Sequence, residues 1–354
     1  MRSPLVIFAI LLAACAPPAL VDQDVSFLVP LPEARSFLPA SGILPRSLFD
    51  RFQHPLTVVD EPDALYAALS TVAVRLDACF REGVDPSVAC RPQVRLVLQP
   101  VFDSADGATT RDAAVHLFFS ASEAEVVAAV RELSQLRVRL GVAMPGGLAG
   151  PHPGFDEPRW VEGVKKVLLP LLTPQRIVRA TEMSVHASNQ AWIFSGLEVA
   201  GETRTDIVIP TLGSELDGHV TSTGERAKLA ITLGPSPVAE PALVTILASD
   251  LRDTASPADL AAAVAALGRI EDPAGHNPGT IDCGSCHVVA TAKKFLLRDG
   301  LEASADSSTA PSDAYADSRA LRAFGYFFTA PAISPRVQRE TALVRADLSR
   351  RLEN

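Results

Sequence analysis

The sequence predicts an α+β fold, a mixed and largely antiparallel sheet with helices, followed by a small, mainly α-helical C-terminal segment. Three observations predict it. Val94, Leu96 and Leu98 alternate with more polar neighbours, as do Ala113, Val115, Leu117 and Phe119, which is the period of a strand with one buried face. Residues 177–212 read as a meander of short strands, with Gly196 and Gly201 in or beside them and Ser188-Asn189 as a polar turn. Helical runs fall among these strands without the regular strand–helix alternation of a parallel sheet.

Taken in order, residues 15–45 are rich in Pro, Ala and Ser, lack a sustained period and read as a tether, although Phe27, Leu28, Val29, Phe37 and Leu38 would let it dock along a surface. Pro62 opens a run in which Leu65, Leu69, Val72 and Leu76 recur at helical spacing, which predicts a helix ending near Cys79. After the two alternating strands, Ser122 and Glu125 form a capping box before a helix carrying Val126, Val130 and Leu133. A further helix is expected over 160–172. The meander then predicts strands at 177–186, 191–199 and 203–209, with two more at 228–233 and 242–248, and an Ala-rich helix over 257–267.

These elements divide the chain into 1–14, 15–45, a main α+β domain at 46–270 and a C-terminal segment at 271–354. In the last, a short helix is expected from Cys283 to about Leu297, a polar acidic loop over 302–313, and helical material to Asn354, with Ser334-Pro335 as a helix start. Leu321, Phe324, Tyr326, Phe327 and Phe328 make the densest aromatic cluster, suited either to walling a planar group or to packing a core.

Composition sets limits on function. The 354 residues are 47% hydrophobic and 21% charged, and 32 basic against 41 acidic residues leave a net charge of −9. That balance argues against nucleic acid as a partner and would suit a basic redox partner. Beyond the N-terminal apolar run, no stretch is long enough for a transmembrane helix.

The run Cys283-Gly284-Ser285-Cys286-His287 carries the clearest chemistry. Two thiols three residues apart can add to the two vinyl groups of one haem, and the imidazole that follows is placed to ligate its iron. The motif resembles cytochromes c at Cys283, Cys286 and His287, which implies one covalent heme c with His287 as proximal ligand; the rest of the chain does not follow that family. Neither Met nor His occurs after His287, so the downstream methionine usual in small cytochromes c is missing. His276 leads as distal ligand, because the intervening residues can carry it around the haem edge; Met183, Met144 and the other histidines follow. For His54, His116, His152, His186 and His219, surface or structural roles are expected.

At the other end, Arg2 and the apolar run 5–12 read as a secretory signal too short to span a bilayer. Leu12-Ala13-Ala14-Cys15 resembles the lipobox of bacterial lipoproteins, which implies lipidation of Cys15 and a membrane anchor; Ala16 in place of aspartate implies sorting to the outer membrane, facing the periplasm. With those cysteines engaged, Cys79 and Cys90 remain as a disulfide pair, closing a short loop for roughly 3 kcal/mol in an oxidising compartment.

The leading expectation is therefore an anchored monohaem lipoprotein passing single electrons to a redox partner protein, an electron carrier or binding protein more than an enzyme. Two other readings stay open. In one the haem is an accessory to an envelope-binding α+β domain; in the other Cys283 and Cys286 form a disulfide or a zinc site without haem.

Overall fold

The computed structural model describes residues 18–52, 61–79, 91–111, 113–186, 191–207, 220–221, 254–274, 287 and 323–353. Among them one antiparallel sheet dominates, with strands β1 (Ser26–Leu28), β2 (Leu69–Asp77), β3 (Gln93–Ser104), β4 (Gly107–Thr110), β5 (Ala113–Ser120), β6 (Ile177–His186), β7 (Ala191–Ala200), β8 (Thr203–Asp206) and β9 (Val220–Thr221). Its order is β1-β2-β3-β5-β6-β7-β8, with β4 paired to β3 and β9 to β7. The α+β expectation holds, and the strands expected at 94–98, 113–119, 177–186 and 191–199 are present. Turn chemistry fixes part of the register: Ala200 pairs with Thr203, leaving a two-residue loop whose Gly201 has φ +62°, a conformation glycine adopts without a Cβ clash.

The helices are α1 (Leu31–Phe37), α2 (Ala40–Ile43), α3 (Arg46–Phe49), α4 (Pro62–Ala68), α5 (Glu123–Arg139), α6 (Pro158–Leu168), α7 (Pro257–Glu271) and α8 (Pro335–Glu353). Ser122 caps α5 as expected: its Oγ accepts the Glu125 N–H at 3.2 Å, and the Glu125 carboxylate accepts the Ser122 N–H at 2.7 Å. The buried Val126, Val130 and Leu133 share one core with Trp160 and Val164 of α6 and with Leu96, Leu98, Leu117 and Phe119 of the sheet. The two helices approach closely at Gly163, where an added Cβ would lie 2.4 Å from Leu136 Cδ2.

Several expectations need correction. Within the expected tether, the described residues 18–45 are instead part of the fold: Phe27 on β1 pairs with Val74 on β2, and Phe27, Leu28 and Val29 are fully buried. Its apolar residues have no helical or strand period because they pack individually against β2 and the ring of Phe155. The helix expected through Leu76 ends at Ala68, and Leu69–Asp77 is a strand, since Thr71, Val72 and Val74 are β-branched and the whole segment is buried between two strands. Residues 324–333 form a hairpin, β10 (Phe324–Phe327) with β11 (Ala330–Ile333), where helix was expected. The helix start at Ser334-Pro335 is correct, with Ser334 Oγ accepting the Val337 N–H at 3.2 Å.

The expected boundary at 270/271 does not separate two cores. Phe324, Tyr326, Ile333, Val337, Val344 and Leu348 belong to the same cluster as β1, β2 and α5. Polar contacts join the same parts. The Gln99 carboxamide pairs with both backbone groups of Tyr326, accepting its N–H at 2.7 Å and donating to its carbonyl at 3.1 Å. Gly325 permits this approach, because a Cβ there would meet Gln99 Oε1 at 2.6 Å. The expected strands at 228–233 and 242–248, the helix from Cys283 and the loop at 302–313 lie outside the described residues, apart from His287.

Candidate functional site

Strand alternation divides the sheet into two chemically different faces. Leu96, Leu117 and Phe119 point into the core shared with α5 and α6. The residues between them point the other way, and cross-strand register sets them side by side: Val97 opposite His116, Ala114 opposite Met183, and Met183 opposite Phe194. His116 therefore sits on the fourth of seven strands in the main path, flanked by apolar groups from β3, β6 and β7.

His287, the last residue of the Cys-x-x-Cys-His run, packs onto this face and is 8% exposed. Its ring lies 5.4 Å from that of His116, centroid to centroid, with planes 20° apart, and 5.6 Å from Phe194 at 43°. The two histidines share a small, partly open pocket of about 10 Å³, room for roughly one water, whose walls include Val97, Ala113, Ala114, Met183, Phe324 and Gly325. Gln99 also lines it, but its carboxamide is engaged by Tyr326. Burial, the His287 ring and the charge of Arg95 all hold the His116 imidazole below its ordinary pKa. It is thus neutral near pH 7.

Next to the pocket lies a buried charge cluster. Glu340 on α8 accepts from Arg75 at 2.7 Å and from Arg95 at 2.9 Å, and Arg95 also pairs with Asp77. Burial alone would raise the Glu340 carboxyl; Arg75 and Arg95 outweigh it and hold it at about 2. The cluster clasps α8 to β2 and β3 on the same face as the histidines.

Of the iron ligands expected from sequence, His287 is among the described residues, whereas His276, Cys283 and Cys286 lie outside them, as do Cys15 and Cys90. Cys79, just past β2, is 3% exposed and disulfide-bonded, at φ +69°, with its N–H donated to Asp77 Oδ1 at 2.8 Å. Its partner cysteine is outside the described residues. His152, expected to be structural, is so: its ring stacks on Trp160 at 4.2 Å and its Nδ1 accepts the Gly154 N–H at 2.9 Å.

His116 stood in the sequence only as one of several histidines expected to be structural. The available signal was its phase in the run Ala113–Ser120, which sets it on the face away from Leu117; the ring that meets it there is far away in sequence. The donor types gathered here, two imidazoles and a thioether among apolar walls, are those that haem iron takes, but the stacked rings and small free volume leave no room for a macrocycle between them. Of the aromatic cluster, Phe324 lines the pocket and also belongs to the core, Tyr326 is core, and Phe328, at the hairpin tip, is half-exposed. Comparison with family models, curated proteins and solved structures finds no match for this chain.

Proposed function

We propose that this chain is a lipoprotein anchored through Cys15 in the outer membrane, facing the periplasm and carrying one covalent haem for single-electron transfer. The observation that supports this most is the burial of His287 against a second imidazole in an apolar pocket. A motif occurring by chance on a solvated loop would have no reason to bury its histidine there.

In this reading Cys283 and Cys286 would hold the haem by thioethers and His287 would supply a nitrogen ligand to its iron. When bound, the haem supplies a one-electron couple at its iron. Val97, Met183, Phe194 and Phe324 would keep water from the His287 ring, lowering the local dielectric, and Arg95 adds a positive charge close to His116. The Cys79 disulfide, with Cys90 as its proposed partner, and the clasp at Glu340 hold β2, β3 and α8 as a rigid support. The acidic balance of the chain suits a basic redox partner.

The test is expression of the full chain with a cytochrome c maturation system, followed by a haem stain after denaturing electrophoresis and oxidised and reduced spectra. A red protein with a c-type spectrum and a stain that survives denaturation is expected, and Cys283→Ser with Cys286→Ser should abolish the stain. A colourless wild-type protein overturns the reading.

A further inference from the structure

We infer that the loop of residues 140–151, between α5 and α6, seats the folded chain on the bilayer surface at the level of the lipid headgroups. This rests on the anchor at Cys15 in the reading above and deepens it, by assigning the face that the anchored chain turns to the membrane.

The argument begins with the length of chain left for a tether. Ala19 is already in the fold: its carbonyl accepts from Arg137 at 2.9 Å, and Leu20 beside it is buried in the core. Cys15 stands four residues before Ala19. Four fully extended residues span at most about 14 Å, so a lipid on Cys15 holds the surface around Ala19 within about that distance of the headgroups.

The neighbours of the N-terminal segment decide which surface that is. Arg137 is in the last turn of α5, so the end of this helix lies beside Ala19. At the far end of the loop the Gly150 carbonyl accepts from Gln23 Nε2 at 3.4 Å, and the His152 N–H donates to the Leu28 carbonyl at 2.9 Å. Pro151 bridges Leu28 of β1, the edge strand of the sheet. Both ends of the loop are thus fastened to the segment that leads from Cys15.

Its composition suits a bilayer better than water. From Leu140 to Pro151 twelve consecutive residues carry no polar side chain, in a chain that is 21% charged. Leu148 is buried and pins the loop to the core, while Ala143, Pro145 and Ala149 are exposed and Val142 and Met144 are half-buried. Val138, in the last turn of α5, adds a large apolar side chain that is 54% exposed. Exposed Arg139 follows it at the rim, where a guanidinium can reach a lipid phosphate while its stem lies along apolar surface. An uncharged apolar patch with a cation at its edge matches the interfacial layer of an anionic bilayer. The glycines set its depth at the headgroups, because their backbone groups need partners that acyl chains cannot supply.

The experiment uses the full chain, lipidated and reconstituted in vesicles of phosphatidylethanolamine and phosphatidylglycerol that carry bromine at either a shallow or a deep acyl position. Ala143→Trp adds an indole at an exposed position, where it displaces no packed group, and subtraction of the wild type removes the emission of Trp160 and Trp192. The added emission should shift to the blue and lose most of its intensity to the shallow bromines, less to the deep ones. Glu202→Trp, in the β7–β8 turn at the opposite edge of the sheet, should lose none. Val142→Asp combined with Ala143→Trp should restore most of the intensity, because a carboxylate beside the indole draws the loop back into water.

Added emission from Ala143→Trp that the bromines leave unquenched overturns the inference. If aqueous iodide then quenches it, the loop faces water; if iodide is excluded too, protein covers the loop in place of lipid. Equal quenching of Glu202→Trp overturns it as well, since the bilayer then does not select this face. A mature chain whose Cys15 carries no lipid, by mass spectrometry of the N-terminal peptide, overturns the anchor itself and this inference with it.

Discussion

His152 is a histidine whose chemistry is all structural, and it has a pH signature of its own. Burial, then the charge of Arg137, hold its imidazole at about 3 against 6.5 for an ordinary histidine. Below 6.5 the unfolded chain binds a proton that the folded chain does not, so stability falls as pH drops from 6.5 towards 3, by at most about 1.4 kcal/mol per pH unit for this group. His152→Phe should therefore show a shallower loss between about pH 6.5 and about pH 4.5 in urea unfolding. It should also cost about 1 kcal/mol at every pH through the lost bond to Gly154. An unchanged slope would remove His152 from the acid response. At Gln99 the same logic concerns a buried amide: Gln99→Leu leaves the Tyr326 N–H and carbonyl without their partner, and a loss of about 1–3 kcal/mol is expected in thermal or urea unfolding. The capping box and the structural role of His152 were legible in sequence, whereas the Gln99 clamp was not, because its partner lies on a hairpin more than two hundred residues later.

At the scale of elements, α5 and α8 are anchored by different physics. Ser122→Ala removes an exposed cap from α5 and should cost about 1 kcal/mol. Glu340→Ala leaves Arg75 and Arg95 with an uncompensated buried charge, and a loss of about 3–5 kcal/mol is expected. Urea unfolding of the two variants side by side checks the order; equal losses would mean that the clasp is solvated. Which elements were legible follows from where their partners are. The strands β3, β5, β6 and β7 alternate because one of their faces meets a continuous apolar core, and α5 declares itself through a local cap. β2 hides as an extension of α4, since a strand buried on both faces has no alternation to read, and its leucines happen to recur at helical spacing. The hairpin β10–β11 hides for a related reason: its aromatic residues are there to pack on β2 and β3, and so carry no period of their own.

For the whole molecule, both chain ends described complete the central core. Val25 to Phe49 and Phe324 to Leu352 lie in one cluster with the sheet, so neither is a detachable segment. Removal of residues 323–354, or of residues 18–45, should abolish the cooperative thermal transition and yield a protease-sensitive chain. A truncated protein that still melts cooperatively would restore the division into independent parts. The sequence by itself determined the α+β class, the phase of the central strands, the caps, the Cys-x-x-Cys-His run and the lipobox resemblance, all of which are written in neighbouring residues. Only the tertiary structure decided that the N-terminal stretch is a strand of the sheet, that the C-terminal hairpin and helix share its core, and that His116 faces His287. The reason is physical: phase along a strand says which face a side chain takes, but what covers that face is set by burial and strand pairing between residues far apart in the chain.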